Sequence, residues 1–295
     1  MSIFDGLDDI VKEKYPMARH TWYGLGGEAD YFIRPTNTDQ LRTVAERCRE
    51  NDIPIHVIGF GSNLLISDDG VRGAVIKLDS GEFTNVQYEG ETLTAWAGAD
   101  LNTLVLDCVK KGLSGMEALA GIPGSVGGAV KNNAGGNFGD IGTIVESVTL
   151  MDKTGGIFEK TRPELMFDYR RCNITAKFIL SARMKLSQAE PEKIMRTVKE
   201  LWIYKKNTQP LNTKNCGCIF KNPQGKSAGA LIDKTGLKGL QIGGAKVSEK
   251  HANFIVAEKD CTSKDVLRLM EVIKERVKER FDIELQPEIE IWQNN

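Results

Sequence analysis

Two glycine-rich stretches of the chain could bind a phosphate-bearing ligand. Successive backbone N–H groups in such turns can point inward toward phosphate oxygens. Neither stretch fits a Rossmann fingerprint, because no helical pattern follows the glycines of the first or the second one. Ordering glycine is entropically costly, so two such loops in one domain favour a ligand that orders both, such as a diphosphate. The candidate residues are Gly59, Gly61, Ser62, Asn63, Gly124, Ser125 and Gly127.

The cysteines and histidines argue against a metal site. The chain has six cysteines and three histidines, without a CxxC pair and with the histidines far apart in sequence. A zinc cluster normally needs closely spaced ligands. Several of the cysteines, such as Cys48 and Cys108, occupy positions that suit a small apolar residue, so we predict reduced thiols and no metal.

Composition bounds the class of protein. With 295 residues and 41% apolar content, the chain can form two or three domains. Its 39 basic and 40 acidic residues give a net charge of -1, which offers no basic excess for a nucleic-acid backbone. No apolar run is long enough to cross a bilayer. We therefore expect a cytoplasmic protein that binds neither nucleic acid nor membrane.

Helices and strands are intermixed along the chain, and they must position the glycine loops. Apolar spacing and end signals predict helices at 37–51, 100–111, 191–205 and 263–280. The spacing of Phe4, Leu7, Ile10 and Val11 predicts a further, N-terminal helix. Residues 121–142 contain too much glycine for a helix and are predicted to be a loop system. Strand patterns flank both loops, and a strand ends the chain.

A set of motifs that occur in order resembles the UDP-N-acetylenolpyruvoylglucosamine reductase family. They are GFGSNLL, GIPGSVGGAV followed by NAG, Tyr169-Arg170, GCIFKNP, AGALID, GLKG, HANFIV and PEIEI, and they extend from about His20 to Trp292. The resemblance implies a flavoenzyme that takes electrons from NADPH through non-covalent FAD. It would reduce the enolpyruvyl group of UDP-N-acetylglucosamine enolpyruvate to UDP-N-acetylmuramate, a precursor of peptidoglycan in the cell wall.

The resemblance also implies an α+β fold with a vanillyl-alcohol-oxidase-type FAD-binding domain of two subdomains and a C-terminal α+β substrate domain. We place the FAD-binding domain at 1–187, with subdomains at about 1–78 and 79–187, and the substrate-binding domain at 188–295. The last strand is a candidate to return to the first domain. The length of the chain resembles the shorter branch of the family, which lacks a substrate-covering insertion.

The implied catalytic residues are Arg170, Cys218 and Glu288. Hydride addition to a vinyl carbon leaves an enolate, which needs electrostatic stabilisation and a proton donor. By resemblance, Arg170 faces the substrate carboxylate and Glu288 assists protonation. Cys218 stands where the family usually has serine, and a thiol, with an ordinary pKa of about 8.5, can donate a proton. The alternatives for Cys218 are a buried residue in a protein without turnover, or a redox pair with Cys216.

Substrate binding is assigned by resemblance to Tyr169, Lys206, Asn222 and Lys226, with the lysines suited to the substrate diphosphate. The two lysines could equally be solvated surface charges, and His251 has no expected role beyond packing. Two other functions compete with the reductase. One is a protein that binds FAD or a UDP-sugar with impaired catalysis, and the other is a flavin oxidase of the same fold.

Overall fold

The computed structural model describes residues 3–294 and contains both helices and antiparallel and parallel sheets. The helices are α1 (Thr38–Glu50), α2 (Leu101–Lys110), α3 (Val126–Lys131), α4 (Pro191–Thr208), α5 (Ala228–Lys234) and α6 (Ser263–Phe281). The strands are β1 (Val11–Pro16), β2 (Glu28–Ile33), β3 (Ile55–Ile58), β4 (Leu64–Ile66), β5 (Val71–Lys77), β6 (Val86–Glu89), β7 (Thr92–Trp96), β8 (Leu113–Ser114), β9 (Gly135–Gly136), β10 (Gly139–Asp140), β11 (Val145–Met151), β12 (Ile157–Thr161), β13 (Phe167–Asp168), β14 (Arg171–Cys172), β15 (Phe178–Lys185), β16 (Ser187–Gln188), β17 (Gln241–Ile242), β18 (Ala245–Val247), β19 (Ile255–Ala257) and β20 (Glu290–Trp292). This content confirms the predicted α+β class.

The chain forms two compact units, each discontinuous in sequence. Unit 1 consists of the described part of Met1–Lys14 with Asp30–Phe60 and Gly73–Ile203. Unit 2 consists of Tyr15–Ala29, Gly61–Arg72 and the described part of Tyr204–Asn295. The boundaries at 1–187 and 188–295, which were drawn from the sequence, stay a prediction.

Unit 1 contains a five-stranded antiparallel sheet with the order β12-β11-β15-β7-β6. Helix α3 packs on β15 and β7 in this sheet. Strand β3 pairs in parallel with β5, from Ile55 opposite Ala74 to Ile58 opposite Lys77. Helices α1 and α2 bury their apolar faces in the same core. The first glycine-rich loop therefore follows the end of a mostly half-buried parallel strand.

Unit 2 is built on the three-stranded antiparallel sheet β17-β18-β19, against which α6 packs. Strand β20 pairs in parallel with β4, with Glu290 opposite Leu64 and Trp292 opposite Ile66. Helix α6 begins with a capping box formed by Thr262 and Asp265. The last strand of the chain is thus fixed beside the segment that follows the first glycine loop.

Four predicted helices are confirmed as α1, α2, α4 and α6. Their ends follow from local chemistry. The side chain of Asn37 accepts a hydrogen bond from the backbone N–H of Gln40 at the start of α1, and Asp100 does the same for Thr103 at the start of α2.

Two local predictions are wrong. The N-terminal segment forms turns and then strand β1 instead of a helix, because Gly6 has a φ of 78°. Its apolar spacing reflects burial alone, with Phe4 1% and Ile10 8% exposed. The glycine-rich segment 121–142 contains α3, which Ser125 caps and whose Val126 and Val130 are fully buried. Tertiary packing here outweighs the low helix propensity of glycine.

Within residues 3–294, no helix combines the length and apolar character that a membrane crossing requires. The same residues hold no group of three or more His, Cys, Asp or Glu side chains able to bind a metal ion.

Candidate active site

The two glycine-rich loops meet in unit 1 at Gly59 and Ser125. Gly59 directly follows β3, and Ser125 directly precedes α3. A Cβ atom added to Gly59 would lie 2.7 Å from the Oγ of Ser125. Ser125 is only 4% exposed, and its Oγ accepts a hydrogen bond from the N–H of Gly128. Close packing against the Ser125 hydroxyl is therefore sufficient reason for glycine at 59, and a contact of Gly59 with the diphosphate of FAD stays a prediction.

Backbone hydrogen bonds fix the second loop in unit 1. The N–H of Leu101 donates to the carbonyl oxygen of Gly124 at 3.0 Å, and the N–H of Gly127 donates to that of Ala97 at 2.8 Å. A Cβ at Gly127 would lie 2.9 Å from the Cβ of Ala97. Packing against Ala97 is therefore sufficient reason for glycine at 127, and a flavin contact at Gly124 and Gly127 stays a prediction.

The other residues of the first loop belong to unit 2. Gly61 has a φ of 66°, and a Cβ there would lie 2.0 Å from the carbonyl oxygen of His20. Its own carbonyl accepts a hydrogen bond from the N–H of Trp22 at 3.1 Å. Ser62 is half-buried. Gly61 is thus required by the close approach of two backbone segments, whether or not a ligand is bound.

Asn63 contacts the C-terminal segment of unit 2. Its Nδ2 donates to the carbonyl oxygen of Glu288 at 3.3 Å, and its own carbonyl accepts from the N–H of Glu290 at 3.0 Å. Asn63 therefore helps to hold the backbone of Glu288, and its predicted flavin contact stays a prediction.

Tyr169 and Arg170 form the turn of the β13–β14 hairpin in unit 1. Arg170 has a φ of 55°, which is uncommon for a residue other than glycine. Its Nη1 donates to the carbonyl oxygen of Gly135 at 2.6 Å, and its guanidinium carbon lies 5.7 Å from the centre of the Tyr169 ring. Tyr169 is 48% exposed. The turn thus holds one arginine beside an accessible aromatic ring.

The buried side chain of Asn133 stabilises this turn. It is 3% exposed and has a φ of 43°. Its Nδ2 donates to the carbonyl oxygen of Asp168 at 3.0 Å, and its Oδ1 accepts from the N–H of Gly142 at 3.0 Å. Both polar atoms of the buried side-chain amide are therefore hydrogen-bonded, and Asn133 fixes the strand that leads into Tyr169 and Arg170.

In unit 2, the segment that contains Cys218 is joined to Glu288. The carbonyl oxygen of Ile219 accepts a hydrogen bond from the N–H of Glu288 at 2.7 Å, and Phe220 pairs with Pro287 in an isolated bridge. Cys218 and Glu288 are both half-buried. A thiol and a carboxylate with access to solvent are therefore carried by two adjacent backbone segments.

Cys216 lies deeper in the same region. Burial, more than any other cause, raises the pKa of Cys216 to about 12. A hydrogen bond with Tyr23 lowers this pKa, whereas Cys218, when ionised, and the charge of Glu288 raise it. Cys216 therefore remains a neutral thiol at physiological pH.

The remaining predicted substrate residues have mixed environments in unit 2. Asn222 Oδ1 accepts a hydrogen bond from the N–H of Ala228 at 2.9 Å, at the start of α5. Lys226 is exposed, and its N–H donates to the carbonyl oxygen of Pro223 at 2.9 Å. Lys206 is exposed near the end of α4, and its carbonyl oxygen accepts from Lys250. The contacts of Asn222 fix the turn after the Cys218 segment, which sequence reasoning did not anticipate.

Sequence reasoning also missed the two buried asparagines that hold the site segments. Asn133 lies in the NNAGG run, and Asn253 lies in HANFIV. Asn253 is 2% exposed and bonds to both backbone groups of Phe220. The available signal was an asparagine between glycine or apolar neighbours. If such a residue is buried, its amide must be hydrogen-bonded, so it can hold a neighbouring segment in place.

Comparison with known proteins covers both parts of the chain. Residues 29–160 match the family model described as FAD binding domain. Residues 209–292 match the model described as UDP-N-acetylenolpyruvoylglucosamine reductase, C-terminal domain.

Full-length relatives match over almost the entire chain. The UDP-N-acetylenolpyruvoylglucosamine reductase of Bacillus velezensis is 41% identical over 288 residues, which is 97% of this chain and 95% of that protein. The Bacillus subtilis protein of the same name is 40% identical and covers 95% of this chain and 93% of its own length. The crystal structure of UDP-N-acetylenolpyruvylglucosamine reductase from Thermus caldophilus superimposes with a TM-score of 0.83 at 38% identity, over 96% of this chain and 98% of that one. The chain therefore belongs to the UDP-N-acetylenolpyruvoylglucosamine reductase family and carries its FAD-binding domain.

Proposed function

We propose that this chain uses NADPH, through non-covalent FAD, to reduce the enolpyruvyl group of UDP-N-acetylglucosamine enolpyruvate to UDP-N-acetylmuramate. The reaction would supply peptidoglycan precursor in the cytoplasm, where thiols stay reduced. The observation that carries the proposal is the hydrogen bond between Glu288 and Ile219, next to Cys218, in a chain about 40% identical to reductases over its length. That bond keeps a thiol and a carboxylate on neighbouring segments.

FAD, when bound, supplies the hydride that reaches the substrate. In our assignment Gly59, Ser125 and Gly124 approach its diphosphate in unit 1, and Gly61, Ser62 and Asn63 continue the first loop. The close contact between Gly59 and the buried Ser125, which brings the two glycine-rich loops together, supports this assignment. Gly127 would contribute by letting α3 pack closely on Ala97.

The substrate carboxylate would bind Arg170. A guanidinium presents two parallel donors to a planar carboxylate, and it also stabilises the negative charge that develops on the adjacent carbon. Tyr169 would pack against the sugar or nucleotide portion, since its ring is 48% exposed.

Protonation of the enolate is assigned to Cys218, which would lose its thiol proton to the carbon next to the carboxylate. Glu288 would hold the enol or return a proton to the thiolate. Asn222, Lys206 and Lys226 would position the UDP portion, with the two lysines neutralising the diphosphate. The chain would cover its substrate without the additional insertion of the longer branch of the family.

The decisive experiment measures NADPH consumption by FAD-loaded protein with and without UDP-N-acetylglucosamine enolpyruvate under low oxygen. Substrate-dependent consumption with formation of UDP-N-acetylmuramate would support the reductase. FAD binding without turnover would favour the second candidate, a protein that binds FAD or a UDP-sugar with impaired catalysis. The observation behind that candidate is Cys218 at the position where the family usually has serine. NADPH-independent oxidation of an alcohol by oxygen would favour a flavin oxidase.

A further inference from the structure

The buried side chain of Asn253 holds the segment next to Cys218 in unit 2. Its Oδ1 accepts a hydrogen bond from the N–H of Phe220 at 3.0 Å, and its Nδ2 donates to the carbonyl oxygen of Phe220 at 2.8 Å. Its own carbonyl oxygen accepts from the N–H of Ile219 at 2.9 Å. With Asn253 only 2% exposed, three hydrogen bonds shielded from water fix the two residues after Cys218.

His251 orients Asn253. The Nδ1 of His251 accepts a hydrogen bond from the backbone N–H of Asn253 at 3.2 Å. The imidazole packs edge-on against Phe254, with ring centres 4.8 Å apart. On its other side lies Gly229 of α5, where an added Cβ would come within 3.0 Å of the His251 Cε1. Burial, and then the charge of Lys238, lower the pKa of His251, which keeps Nδ1 unprotonated and able to accept.

The same contacts reach Glu288. The carbonyl oxygen of Ile219 accepts from the N–H of Glu288 at 2.7 Å, so the segment that Asn253 holds also sets the position of that residue. We propose that His251 and Asn253 are positioning residues for proton transfer, because they hold the Cys218 segment and Glu288 in a fixed position relative to each other. The proposal rests on the proposed reductase function, and it assigns a task to the HANFIV and AGALID motifs in that reaction.

Three variants test it. His251→Asn places an amide oxygen near the former Nδ1 and keeps an acceptor for Asn253, whereas His251→Gln places its polar group near Nε2 and removes that acceptor. Gly229→Ala favours the helix, since alanine exceeds glycine by about 1 kcal/mol in helix propensity, but it displaces the imidazole. We expect His251→Gln and Gly229→Ala to slow substrate-dependent reoxidation of the reduced flavin by about tenfold to a hundredfold, and His251→Asn to restore most of it. Flavin reduction by NADPH should stay unchanged in all three.

A second readout does not depend on turnover. The rate of Cys218 alkylation by iodoacetamide, followed by mass spectrometry, should rise in His251→Gln and Gly229→Ala and stay near the natural rate in His251→Asn. Cys172 in unit 1 is the internal control, and its rate should not change. Equal rates at Cys218 in all four proteins would overturn the positioning role. A rise at both cysteines, or slowing of both half-reactions, would also overturn it, since that would mean general destabilisation. If the natural protein fails to reduce the substrate while Cys218 alkylation responds as expected, the proposed function fails and the structural control of Cys218 stands.

Discussion

The backbone N–H of Glu288 donates a 2.7 Å hydrogen bond to the carbonyl oxygen of Ile219, the residue that follows Cys218. This bond connects residues 69 positions apart in the sequence. A proton donor and a carboxylate must be positioned within a fraction of an ångström for efficient transfer. Backbone bonds of this kind supply such precision without using the reactive side chains themselves.

Replacing Cys218 by alanine is expected to slow substrate-dependent flavin reoxidation by about 10²- to 10⁴-fold, the usual contribution of a general acid. Reduction of the flavin by NADPH should be unaffected, because it needs no proton donor to substrate carbon. Stopped-flow absorbance of the two half-reactions separates these steps.

Cys218→Ser is the matched control for this prediction. It keeps a hydroxyl donor at the same position and should retain turnover. Equal slowing of both half-reactions in Cys218→Ala would contradict the assignment of Cys218 as proton donor.

The sequence predicts the long helices well because their information is local. Asn37 and Asp100 cap α1 and α2 as their residue types indicate. The short helix α3 was not predicted, because its glycines disfavour a helix, whereas the Ser125 cap and the burial of Val126 and Val130 stabilise it.

The site is predictable to a different extent. Motif order identifies the segments that carry Arg170, Cys218 and Glu288, but not the contacts that hold them. The bonds of Asn133 and Asn253 join residues 35 and 33 positions apart, and no local pattern encodes such a pairing. From sequence, Gly59, Gly61 and Asn63 were all predicted to contact FAD. The structure adds that Gly61 and Asn63 also make backbone contacts within unit 2, which a sequence pattern does not show.

Substituting Arg170 by lysine should lower kcat/KM for the enolpyruvyl substrate by about 10- to 100-fold, which corresponds to loss of a charge-assisted hydrogen bond. Lysine keeps the charge but has no planar fork to bind a carboxylate. Steady-state kinetics at varied substrate concentration give the value. The neighbouring Arg171→Lys is the control, since Arg171 is exposed and pairs with Asp168. Similar losses in both variants would argue against a specific role of Arg170.

Asn133→Ala is expected to lower the free energy of unfolding by about 2 to 4 kcal/mol. The change removes two buried hydrogen bonds and leaves alanine at a φ of 43°. Chemical denaturation followed by circular dichroism measures the loss. The exposed Asn137→Ala should change the free energy by less than about 0.5 kcal/mol. If Asn133→Ala is equally neutral, its bonds to Asp168 and Gly142 do not support the hairpin.

Gly59→Ala should weaken FAD binding by at least about tenfold, or 1.4 kcal/mol. The new Cβ would lie 2.7 Å from the Oγ of Ser125 and would push apart the two loops assigned to the diphosphate. Flavin absorbance after dialysis, together with titration of the apoprotein, measures the effect. Gly136→Ala is the control, because a Cβ at Gly136 meets nothing within 4 Å. Full retention of flavin by Gly59→Ala would remove Gly59 from the proposed FAD site.

The buried His251 should make the stability of the protein depend on pH. Burial and the charge of Lys238 lower the pKa of His251 in the folded state below its ordinary value of 6.5. As the pH falls below 6.5, the unfolded chain therefore takes up a proton that the folded chain does not, and the folded state loses stability. His251→Asn keeps an acceptor without a titrating group and should lack this contribution. The free energy of unfolding of the natural protein minus that of His251→Asn, measured by urea denaturation, should be constant above about pH 7.5 and decrease toward pH 5. A flat difference would mean that folding does not change the pKa of His251, and a difference that grows as the pH falls would mean that folding raises it. Either result would contradict a buried His251 that resists protonation.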